Sequence, residues 1–113
     1  LPHFEDVNAD KLRGSLGVTD AESVLDLRET NRPTAEASLK EMIERSRFSR
    51  GKTVAIRLAP PPEGGGETLF QPVGRMLLEA KRKGFVDRLH PLPAGDGLGF
   101  YVALAGKPQR EAE

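Results

Sequence analysis

The sequence predicts an α/β domain, an α+β two-layer sandwich of order β-α-β-α-β-β with two helices on one face of a four-stranded mixed sheet. Three observations lead there. Residues 35–43 and 73–80 carry apolar side chains at the period of an α-helix, whereas four other segments alternate apolar and polar residues at the period of a strand. Helical and strand patterns take turns along the chain, which then ends in a strand pair. At 113 residues there is room for one domain around one core.

Residues 1–22 are polar with scattered apolar positions and read as a flexible or weakly structured lead-in. Asn8 is placed to cap a short helical turn through Ala9–Arg13, which Gly14 would stop. From Ser23 the pattern tightens: in Val24-Leu25-Asp26-Leu27-Arg28, Leu25 and Leu27 share one face, as in a half-buried strand. After a polar turn at residues 29–32, Pro33 suits the first turn of a helix, where no amide donor is needed. Ala35, Leu39, Met42 and Ile43 then mark the inner stripe of a helix from Thr34 to about Arg47, with Glu36, Lys40, Glu41, Glu44 and Arg45 on its outer side.

Gly51 ends that unit. Lys52 to Leu58 alternates again, turning Val54, Ile56 and Leu58 inward. The run Pro60-Pro61-Pro62-Glu63-Gly64-Gly65-Gly66 cannot sustain a central strand and reads as a surface loop with a mobile end. A second helix follows from Thr68 or Pro72 to Lys83, with Val73, Met76, Leu77 and Ala80 inward and Gly84 at its stop. Phe85–Leu92 and Leu98–Leu104 form two closing strands joined through Ala94-Gly95-Asp96-Gly97, a hairpin turn in which Asp-Gly supplies positive φ. The domain is thus bounded at residues 23–107, with a disordered tail at 108–113. Right-handed crossover makes the first two strands parallel, and the hairpin is antiparallel.

Composition removes several mechanisms. There is no cysteine, so disulfides and thiolate chemistry are absent. No stretch approaches the ~18 apolar residues of a membrane span, and Leu1–Val7 carries acids and a histidine rather than the basic start of a signal peptide. The expectation is a cytoplasmic protein without membrane association. Lys plus Arg equals Asp plus Glu at 17 each, which weighs against a dedicated nucleic-acid binder but permits a local basic face. The two histidines, His3 and His90, are far apart in sequence and make neither a metal site nor a triad, and Gly-X-Ser-X-Gly is missing. No catalytic residue, metal or cofactor is expected, and the sequence does not specify an oligomeric state.

The Leu25-Asp26-Leu27-Arg28 strand, the Arg32-Pro33 helix start, Gly51 before the second strand and the closing hairpin resemble, in the same order, the TusA/SirA-like sulfur-carrier family. The likeness runs from Val24 to about Lys107. In that family a cysteine precedes the helix-opening proline and carries a persulfide; here Arg32 stands there. Arginine is a permanent cation without nucleophilic character, so the resemblance implies the fold without sulfur transfer. Uncharacterised TusA-like domains are the closer comparison. Gly74-Arg75-Met76-Leu77-Leu78-Glu79 and Tyr101-Val102-Ala103-Leu104-Ala105 also look like the C-terminal domain of translation initiation factor 3. Smr nuclease-related domains share the element order, but their His-Gly loop after the second strand is replaced by Leu58-Ala59-Pro60.

Two candidate sites follow. Parallel first and second strands bring their following loops to one end of the sheet, where open α/β sheets bind ligands. Arg28, Asn31, Arg32 and Gly64, Gly65 and Gly66 would meet there. Arg32 at a helix N-terminus either joins the free amides in holding a small anion or a partner's carboxylate, or swings toward Glu29 or Glu36 as an ordinary surface arginine. The glycine run lacks the lysine and Ser/Thr of a phosphate-binding loop and reads as linker. The second candidate is the basic end of helix two, Arg75, Lys81, Arg82 and Lys83 with Arg88 nearby. These cations either complement the helix dipole or track RNA phosphates. The expected function is a non-enzymatic binding or regulatory module for a protein partner or small anion, the alternative an RNA- or ribosome-associated domain.

Overall fold

The computed structural model describes residues 16–106. A 3₁₀ turn at Val18–Asp20 precedes β1 (Ser23–Asp26), α1 (Arg32–Ser46), β2 (Thr53–Arg57), α2 (Phe70–Arg82), β3 (Val86–Pro91), a second 3₁₀ turn (Ala94–Asp96) and β4 (Gly99–Leu104). The strands lie in the order β1-β2-β4-β3; β1 and β2 are parallel, and β4 is antiparallel to both of its neighbours. The expected α+β sandwich is therefore present, as an open mixed sheet.

Local chemistry fixes the helix ends. Asn31 Oδ1 accepts from the Thr34 amide at 3.0 Å, capping α1 one residue before Arg32. At the other helix, the Phe85 amide donates to the Ala80 carbonyl at 2.9 Å and the Gly84 amide to the Lys81 carbonyl at 3.0 Å. This pair of bonds is a Schellman stop, and Gly84 adopts the φ of +90° that it requires. Both inner stripes enter the same core. Ala35, Leu39 and Ile43 of α1 and Val73, Leu77 and Ala80 of α2 meet Val54, Ile56, Phe100, Val102 and Leu104 from alternate strand positions. Burial of each large aliphatic side chain contributes about 1.5–3 kcal/mol.

The placement of the last two strands has a visible cause. β4 is buried along nearly its whole length, whereas β3 carries Asp87, Arg88 and Pro91 exposed. A proline lacks a ladder donor and is tolerated where its nitrogen faces away from the neighbouring strand, so β3 takes the edge. Along this pair the register shifts between Val86 and Arg88.

The sheet's second face is partly covered. Leu16, Val18 and Ala21 pack over Ala55, Leu92 and Tyr101. The Val18 amide donates to Asp96 Oδ2 at 2.8 Å, and the Gly17 amide to Asp20 Oδ2 at 2.8 Å. A side chain at position 17 would strike the Asp96 carboxylate. Residues 16–22, sequentially part of the predicted lead-in, are thus fastened to the hairpin turn 78 residues away. The helical turn expected at Ala9–Arg13 and the tail at 108–113 lie outside the described residues.

Candidate functional site

The parallel β1–β2 pair and the two following helices bring the first-loop residues to one end of the sheet. There, Arg28 is held by its own strand: Nε donates to Asp26 Oδ1 at 2.9 Å, Nη2 to Oδ2 at 2.7 Å, and the Arg28 amide to Oδ1 at 3.1 Å. These hydrogen bonds keep the Asp26 carboxyl well below the usual carboxylate range and raise the guanidinium further. Arg28 is occupied, and Asn31 is engaged as the helix cap.

Arg32 donates through Nε to Glu36 Oε2 at 2.8 Å, with 63% of its side chain still exposed. It also lines a polar cleft of about 400 Å³, shared with Glu67, Thr68, Gln71, Pro72 and Arg75. Gly64, Gly65 and Gly66 all have positive φ and are exposed, with the Gly65 amide donating to the Pro62 carbonyl at 2.8 Å. The run closes a surface turn and is not among the cleft's walls. Of the first predicted set, Arg32 alone reaches the cleft, and from the second set Arg75 joins it.

Arg75 has no ion-pair partner among the described residues. Beside it, α2 begins without a side-chain cap on Leu69; Thr68 Oγ1 accepts from the Phe70 amide at 3.2 Å. The cleft therefore combines two guanidiniums with one glutamate, Glu67, at the entrance of a helix.

The remaining cations disperse. Arg82 Nη1 lies 3.2 Å from Glu79 Oε1 and Lys83 Nζ 4.0 Å from Glu79 Oε2, so one carboxylate serves both. Lys81 is exposed on the same turn. Arg88 pairs in register with Ala103, two positions from His90, which stacks on Tyr101 at 5.2 Å. It therefore sits on the face of the sheet away from the helices. The five cations do not share one surface.

A second concavity, of about 450 Å³, runs between α2 and β3. Phe70 stacks on Phe100 at 4.5 Å along its floor, Gly74 passes close over the Phe100 ring, and Leu78 stands 55% exposed at its rim. His90 Nδ1 is buried without a hydrogen-bond partner among the described residues.

Among the described residues no group of three or more His, Cys, Asp or Glu could hold a metal ion, and no helix is long and apolar enough to cross a membrane. His3 lies outside the described residues. No family model matches the chain, and neither the curated proteins nor the solved structures yield a match.

Proposed function

We propose that this chain is a non-enzymatic binding module, a divergent TusA-like domain without the carrier cysteine, that holds an anionic group in the cleft between Arg32 and Arg75. One observation carries the reading: two guanidiniums, Arg32 from the first turn of α1 and Arg75 from the second turn of α2, line one polar cleft, and Arg75 has no carboxylate of its own among the described residues. Arginine forks suit the paired oxygens of carboxylate, phosphate or sulfate. Freeing Arg32 costs little, because an exposed i,i+4 ion pair is worth only about 0.3–0.5 kcal/mol. The ligand is a small oxyanion or an acidic side chain of a protein partner. Glu67 in the wall disfavours densely charged ligands and favours a single anionic group.

The RNA alternative draws less support from the same geometry. Glu79 pairs with Arg82 and lies near Lys83, offsetting one of the helix-end charges, and Arg88 faces the opposite side of the sheet. An amide NMR titration with sulfate, phosphate and a short single-stranded RNA separates the readings. Sulfate or phosphate is expected to move Thr68, Gln71 and Arg75, and Arg32→Ala and Arg75→Ala each to weaken that response several-fold. Unchanged binding by the double variant overturns the proposal. RNA shifts centred on Lys81–Lys83, falling steeply with salt, would replace it with the nucleic-acid reading.

A further inference from the structure

We infer that the free edge of β3 and the groove beside α2 accept an extended peptide segment of a partner protein, one that alternates apolar and acidic residues and adds to the sheet as a fifth strand. This goes beyond the anion cleft and uses a different surface, with Gln71 and Arg75 common to both.

The backbone supplies the first half of the case. Among the described residues β3 ends the sheet, so half of its peptide groups face outward. The Leu92 amide donates to the Gly99 carbonyl at 3.0 Å, which fixes the alternation. His90 points its amide and carbonyl at β4, whereas the Leu89 amide and carbonyl and the Pro91 carbonyl point away from the sheet. Pro91 contributes no outward donor, so an added strand pairs chiefly through Leu89. This proline also disfavours a second copy of the chain as the occupant: pairing two β3 edges would lose a donor from each strand. A partner peptide loses only one.

The side chains supply the second half. Residues of an added strand alternate between the helix side and the back of the sheet. On the helix side they meet Phe70, Leu78, Leu89 and Phe100, an apolar groove large enough for aliphatic side chains. On the back they meet Arg88, which is exposed and has no acidic partner among the described residues. Asp87, at the bulge, is the one acid of the strand. Arg75, likewise without an ion-pair partner among the described residues, adds a second cation at the mouth of the groove. Apolar toward the helix and acidic away from it is the pattern that complements both sides at once, and strand addition is an established mode of peptide recognition.

The probe is an acetylated, amidated octapeptide of alternating valine and glutamate, followed by amide NMR and by fluorescence anisotropy of a labelled copy. Binding at high micromolar concentration or tighter is expected, with shifts at Leu89, His90, Gly74 and Leu78 and slowed exchange of the Leu89 amide. The same peptide N-methylated at alternate amides leaves the protein untouched but removes the pairing donors. About tenfold weaker binding is expected, the loss of roughly one hydrogen bond of 1–1.5 kcal/mol. Arg88→Glu should weaken the parent peptide about fivefold or more by turning attraction into repulsion. Leu78→Glu alters an exposed position and should abolish groove shifts while the remaining spectrum stays native. Equal binding of the methylated and parent peptides, shifts confined to the β1 edge, or no shift at β3 with millimolar peptide overturns the inference. A sulfate titration in the same samples reports on the Arg32–Arg75 cleft separately, so either reading can fail while the other stands.

Discussion

The Asp96 carboxylate is the point at which the segment before β1 is fastened to the sheet, and Asp96→Ala tests that attachment. Asp96 Oδ2 accepts from the Val18 amide at 2.8 Å. A hydrogen bond to a charged acceptor contributes about 1.5–3 kcal/mol, and the part-buried position of this one places it toward the lower figure. Released, the segment would uncover Ala55, Leu92 and Tyr101, now packed beneath Leu16, Val18 and Ala21. A loss of about 1.5 kcal/mol corresponds to a fall in Tm of roughly 6–12 °C for a domain of this size. The chain has one tyrosine and no tryptophan, so intrinsic emission reports on Tyr101 alone. It is 5% exposed, and acrylamide should quench it poorly in the wild type and efficiently in Asp96→Ala. Asp96→Asn keeps an acceptor of the same shape and should recover about half of the loss, whereas Gly17→Ala should reproduce Asp96→Ala by pushing a methyl group into the carboxylate. An Asp96→Ala protein with unchanged Tm and a tyrosine as shielded as before would refute the attachment.

Three further outcomes follow from the same structure. Leu39→Ala removes a fully buried side chain between helix and sheet and should destabilise the domain by about 2–5 kcal/mol in urea denaturation, with the m-value unchanged. Asn31→Ala removes the cap of α1 and should cost about 1 kcal/mol, while Asn31→Gly should cost only a few tenths, both read by thermal melting. The Asp26 carboxyl should titrate below ordinary aspartates by carbon-detected NMR, and Arg28→Ala should return it toward ~3.9. Because the folded-state value is depressed, its small stabilising contribution is fully present above ~3.9 and disappears as pH falls below that toward the folded-state value.

How much of this could be read in advance depends on whether the information is periodic. The helices announce themselves because Ala35, Leu39, Met42 and Ile43, and Val73, Met76, Leu77 and Ala80, combine spacings of three, four and seven that no single strand face can present. Leu98, Phe100, Val102 and Leu104 do the same for β4, yet alternation says nothing about which strand lies in the middle. That is settled by Tyr101, buried on the second face, and by Pro91, which suits an edge. The docking of residues 16–22 has no period at all: Leu16, Val18 and Ala21 are irregularly spaced, and the acceptor that fastens them is 78 positions away. Loop order alone brought Arg28, Asn31 and Arg32 to one end of the sheet. It could not show that Asp26 would occupy Arg28, or that capping would occupy Asn31.

The displacement of the candidate site from the β1–α1 loop toward α2 has a geometric origin. Arg32 and Arg75 are 43 positions apart and belonged to different predicted sites, one a loop and the other a basic helix end. They line one cleft because the inner stripes of α1 and α2 must both face the sheet, and that constraint sets the rotation of each helix about its own axis. With Val73 and Leu77 turned into the core, Gln71 and Arg75 are carried to the ridge of α2 that borders both the cleft and the groove, while Phe70, Gly74 and Leu78 are carried toward β3. One rotation thus produces both the polar cleft and the apolar groove, with Gln71 and Arg75 on their shared rim. Substitutions that leave the surface chemistry intact but turn α2, such as exchanging the volumes of Val73 and Leu77, should therefore disturb both sites together. Arg32→Ala should affect the cleft alone, and Leu78→Glu the groove alone.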